Sequence, residues 1–188
     1  MKKLIIAVTL TLFGLSTLVV SAPSALADER SCTTTYGAVT FDNLRVPQNR
    51  SCTLNGTYVK GNIVVERGAQ LKANGVRVVG SIQAEGARGV FIGSSSRVNG
   101  SIQIDAGGRF VVSGTTIGGS LQVVSNTGSS RLSSNRVTGD IQVFSHREGI
   151  SITSNRVNGN LQCKGNSPAP TGSGNIVQGN KQDQCRRL

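Results

Sequence analysis

The sequence predicts an all-β protein, a right-handed parallel β-helix of about seven 20-residue coils with a disulfide stapling each end. Three observations lead there. A four-residue unit (Gly, small polar, aliphatic, Gln) returns at a nearly constant interval. Apolar residues flank it at every second position, and two pairs of cysteines are spaced by about one interval.

The unit begins at Gly61, Gly80, Gly100, Gly119, Gly139, Gly159 and Gly179, at intervals of 19, 20, 19, 20, 20 and 20. A fixed period of this length marks a solenoid, in which no repeat buries its apolar face alone and each must stack on its neighbours. Two residues before the glycine stands a Val or Ile in every unit, from Val59 to Val177. Two residues after it stands an Ile or Leu, from Ile63 to Leu161. Alternation with a period of two means extended strand rather than helix, and we read one strand running through the glycine. A second strand precedes it, seen in Phe91, in Phe110-Val111-Val112 and in Ile150-Ser151-Ile152. Gly, Ser and Asn turns separate these runs and leave no room for a helix of ten residues. Stacking at about 4.8 Å per coil gives a rod roughly 34 Å long. Asn135, Asn155 and Asn175 share one position, four before the glycine, where Asn tolerates left-handed backbone and offers its amide to the next coil.

Residues 1–27 read as a signal peptide: Lys2 and Lys3, an apolar run over 4–20, and small residues at Ala25 and Ala27. Cleavage there leaves no transmembrane segment and a secreted, periplasmic or envelope address. We assign 28–52 to an N-terminal cap and 53–188 to the β-helix with a C-terminal cap, where Lys181 replaces the aliphatic residue of earlier units. Four cysteines in an exported chain predict disulfides. Cys32 and Cys52 are 20 apart and Cys163 and Cys185 are 22 apart. Residues stacked one coil apart fall within the roughly 4.4–6.8 Å that a disulfide accepts between α-carbons, so sequential pairing is expected. With no Cys-x-x-Cys and only one histidine, His146, read as a surface residue, neither a metal nor another cofactor is expected.

The Gly-small-aliphatic-Gln units, the Asn column and the signal peptide together resemble the pectin-lyase-like group of secreted right-handed parallel β-helices. The resemblance covers about residues 52–185 and is architectural. It implies the fold, and it brings no lyase or polygalacturonase catalytic residue onto a position of this chain.

Three columns carry candidate chemistry. Arg77, Arg97, Arg136 and Arg156 all stand three before the repeat glycine, interrupted by Thr116. They should point outward, and guanidinium forks bind carboxylate, phosphate or sulfate with two hydrogen bonds. That makes them the predicted binding residues for an anionic polysaccharide or another envelope polyanion. Gln83 through Gln182 form an outward amide column, expected to act as a stabilising ladder. Glu66, Glu85 and Asp105 stand five after the glycine, and surface ion pairs with Arg67, Arg88 and Arg109 are the expected explanation.

Without Lys2 and Lys3 the chain carries 18 basic residues, 14 of them arginine, against 9 acidic ones, so the mature protein is strongly cationic. Nucleic acid is not the expected partner, because the few aromatic residues do not interleave with the basic ones. The functional expectation is a monomeric, non-enzymatic binding or structural protein presenting a basic face to anionic polymer, with no catalytic residue. A polysaccharide lyase or hydrolase is the alternative, and a self-assembling rod the second alternative.

Overall fold

A computed structural model of the chain describes residues 28–93 and 95–188. The expected signal peptide lies outside the described residues. Those described contain strands and turns and no helix. The strands stack in parallel into three sheets of nine, seven and eight strands. Each coil visits them in turn. A two-residue strand before the repeat glycine, such as Arg77–Val78, enters the eight-stranded sheet, here called C. The strand after the glycine, such as Ile82–Glu85, enters the nine-stranded sheet A. A third strand, such as Gly89–Gly93, enters the seven-stranded sheet B.

The register reproduces the sequence repeat. Ile63, Ile82, Ile102, Leu121, Ile141 and Leu161 pair one to the next and are fully buried. Lys181 stacks on Leu161 and ends the column, its Nζ donating to the carbonyl oxygen of Leu188. Both disulfides form as expected, Cys32–Cys52 with α-carbons 5.4 Å apart and Cys163–Cys185 with 5.2 Å. The segment expected to be an N-terminal cap is itself coiled. Its strands Glu29–Ser31, Thr35–Tyr36 and Thr40–Phe41 begin sheets A, B and C.

In one respect the strand expectation needs correcting. The chain does not run straight through the glycine but turns a corner there, passing from sheet C to sheet A. A Cβ on Gly80 would lie 2.6 Å from the carbonyl oxygen of Gly61 and 2.3 Å from Asn62 Oδ1. Only glycine lets coils approach so closely at this corner. The small polar residue that follows has an equally definite task. Its side-chain oxygen accepts the backbone N–H of its counterpart one coil on. Seven such bonds run the length of the rod, from Asn43 Oδ1 accepting Asn62 N to Asn160 Oδ1 accepting Asn180 N. Donors that the bend removes from the strand pattern are thereby satisfied.

The other two corners of the coil solve the same problem from inside. Asn135 Oδ1 accepts Thr115 N, and its Nδ2 donates to Val112 O and to Asn155 Oδ1; Asn155 repeats the pattern with Asn175. The left-handed backbone, however, lies one residue earlier than expected, at Ser134 and Ser154, with φ of 55° at each. The amide is thus freed to point inward. A second ladder between sheets A and B uses Asn126 and Asn166. His146 stands between them in that column. It is 1% exposed, so its assignment to the surface is wrong. Its ring meets Phe110 edge-on at 5.4 Å, and Nε2 lies 3.1 Å from Gly149 O, which it serves as donor. The buried Nδ1 has no partner, and burial lowers the pKa of the ring.

Two predictions follow from this packing. Ile102→Asp places an unpaired carboxylate in the dry core at a cost of several kcal/mol, against about 5–15 for the whole fold. Gln103→Asp, one residue along on the outer face, should leave chemical denaturation nearly unchanged, and equal loss in both variants would reverse the inward–outward assignment. The second concerns pH. The folded His146 pKa is below its unfolded value of about 6.5. Its contribution is complete above that value and is lost as pH falls through it toward the folded pKa. His146→Asn, which restores the amide ladder, should flatten stability between pH 7.5 and 5 relative to the unmodified protein; parallel stability curves would contradict this.

Candidate functional site

Sheet C is the narrowest of the three sheets, and its strands of two residues give each coil one inward and one outward side chain. The inward Val78, Val98, Val137 and Val157 are buried. The outward column reads Thr40, Tyr58, Arg77, Arg97, Thr116, Arg136, Arg156, Ile176 in continuous register. All four predicted arginines are therefore stacked on one face, and all are exposed.

What surrounds them matters as much. The ion pairs among the described residues are Arg45 with Glu29 and with Glu66, each at 2.6 Å, and Lys60 with Asp42 at 2.9 Å. None involves the column. One residue before the glycine, the flanking positions from Lys60 through Val79, Asn99 and Thr138 to Gln178 include no carboxylate. Like charges one coil apart repel, and no ion pair among the described residues answers the four arginines. At its N-terminal end the surface dips into a groove of about 400 Å³ between Tyr58, Arg77, Val79, Arg97 and Asn99.

The glutamines do largely what was expected of them. Gln142 Nε2 donates to Gln162 Oε1 at 2.9 Å, and Gln162 to Gln182 at 3.1 Å. Amides that bond one another along the rod are less available to a ligand.

The acidic column departs from expectation. Glu66 is held by Arg45 and by the backbone N–H of Gln48, and these bonds lower its pKa. Glu85 and Asp105 form no ion pair with Arg67, Arg88 or Arg109. For Arg88 the reason is geometric: the chain has turned the next corner, and its Nη2 donates to Ser51 Oγ at 2.5 Å in sheet B. Asp105 is half-buried beside Glu85, its Oδ1 has no partner, and burial followed by the Glu85 charge raises its pKa. A groove of about 500 Å³ opens over Glu66, Glu85, Asp105, Gln83 and Gln103. No group of three residues able to hold a metal ion occurs among the described residues.

Sequence reasoning missed the apolar members of the sheet C face. Tyr58 and Ile176 occupy the two ends of the arginine column, and Val79 lies beside it. They are 38%, 54% and 44% exposed. Counting three back from Gly61 and Gly179 would have found the first two. No family model, curated protein or solved structure matches this chain.

Because the folded Asp105 pKa is raised, its contribution is present at low pH and is lost as pH rises through the folded value. Asp105→Asn should therefore raise thermal stability at neutral pH and not at pH 3. A lower melting temperature for the variant at pH 7 would show that the carboxylate is stabilising after all.

Proposed function

We propose that the protein is an exported, non-enzymatic β-helical protein that presents sheet C to an anionic polymer of the cell envelope or extracellular space. The observation that carries this is the unpaired arginine column. Disulfides at both ends suit an oxidising compartment, and no helix among the described residues is long and apolar enough to cross a membrane. The arginines come as two pairs, Arg77 with Arg97 and Arg136 with Arg156, each pair one coil apart. A chain of carboxylate, sulfate or phosphate groups meets them as a row of forks whose positions are set by the backbone ladder. The backbone spacing of the row is set before the ligand arrives, so only the arginine side chains are left to be ordered on binding.

A second reading rests on the sheet A groove. There Asp105, whose pKa burial raises, stands beside Glu85, and a pair of neighbouring carboxyl groups is what a glycan lyase or hydrolase requires. Turnover of polygalacturonate with added calcium would favour it.

The test of the first reading separates position from net charge. Replacing Arg77, Arg97, Arg136 and Arg156 by Gln should abolish retention on an immobilised polyanion. A control that removes Arg30, Arg50, Arg186 and Arg187 lowers the charge equally and should retain most of the binding. The column variant should also show a flatter dependence of affinity on salt, since fewer counterions are released. Equal retention by the two variants would eliminate the column as a site.

A further inference from the structure

Four large apolar side chains are exposed among the described residues, Val39, Tyr58, Val79 and Ile176, at 43%, 38%, 44% and 54%. All four gather on or beside one of the three sheets. Tyr58 and Ile176 flank the arginines on either side, in register with Arg77 and Arg156, with Thr40 one coil beyond Tyr58. Val79 follows the inward Val78 and so faces out beside Arg77. Val39 lies at the N-terminal margin, where its carbonyl accepts Tyr58 N. Neither sheet A nor sheet B exposes a large apolar residue to this degree.

A soluble, fully hydrated polyanion gives a bare valine or isoleucine nothing to bury against. An interface between water and lipid does. There a tyrosine sits at headgroup depth with its hydroxyl in water, and long cationic side chains lay their stems along apolar surface while the charge reaches phosphate. The geometry suits such a plane. From Tyr58 to Ile176 the column takes six coil steps, about 29 Å. The apolar residues close both ends of a straight cationic row, so a flat surface would meet all of them together.

We infer that the sheet C face docks on the surface of an anionic phospholipid layer, the arginines taking headgroup phosphates and Tyr58, Val79 and Ile176 entering the boundary between headgroups and acyl chains. This rests on the proposed role of the arginine column and gives that column a specific occupant. Each basic residue near an anionic surface adds to the attraction, and the shallow apolar contacts make part of the binding resistant to salt.

The experiment uses the oxidised protein lacking residues 1–27, with two probes: vesicles of phosphatidylglycerol and phosphatidylcholine, and soluble polyphosphate. The protein should co-sediment with the mixed vesicles and not with phosphatidylcholine alone. Replacing Tyr58, Val79 and Ile176 by Ser should weaken vesicle partitioning about tenfold or more while leaving polyphosphate affinity and melting temperature unchanged. The four-arginine variant should lose on the order of a hundredfold or more on vesicles and should also lose polyphosphate. Unchanged partitioning of the serine variant, or binding to polyphosphate without binding to vesicles, would overturn the lipid inference and leave the arginine strip standing. Full binding of both probes by the arginine variant would overturn both.

Discussion

A parallel solenoid satisfies its strand backbone by bonding each coil to the coils above and below, and the hard part is the corner. There the chain bends out of a sheet, and N–H groups would be stranded next to a closely packed neighbour. This protein meets that constraint with ladders of side-chain oxygens running along the rod: the small polar residue after the glycine on one edge, and buried asparagines on the other two. The glycine, the small polar residue and the asparagines of the repeat all answer it. The aliphatic columns then fill a core whose positions the corners have fixed.

Once corners and core are assigned, the outward positions are free to differ from face to face. Sheet A carries amides that bond one another and, toward the N-terminus, carboxylates, one of them tied to Arg45. Sheet C carries arginines that form no ion pair among the described residues, flanked on either side by an apolar or aromatic side chain. Stacking like charges at coil spacing opposes folding slightly. The rod sustains it because stability comes from the core and the backbone ladders, which the outward residues do not touch. A rigid scaffold with a chemically distinct side is the structural basis for assigning function to that side.

His146 shows what happens where a ladder position is filled by a residue that cannot do the full task. It occupies the asparagine column and is buried, yet Nδ1 finds no partner. Its place is held by the edge-on contact with Phe110 and one bond to a carbonyl. The consequence is a core that resists protonation at this point, a property of the fold with no visible connection to the outer faces.

The repeat period, the alternating core and the cysteine spacing were determined by the sequence alone, because period and alternation are direct images of coil length and strand pleat. The arginine column was equally legible, since residues at one repeat position must stack. Tertiary structure decided what depended on where the chain turns. A corner at the glycine cannot be told from a continuous strand by alternation, because inward positions recur at the same spacing on both sides of the bend. The same corners decided that Arg88 reaches Ser51 instead of Glu85, that a lone histidine lies in the core, and that Val79 faces outward beside the arginines. Sequence gives the position of a residue along the repeat; only the folded coil gives the direction in which its side chain leaves.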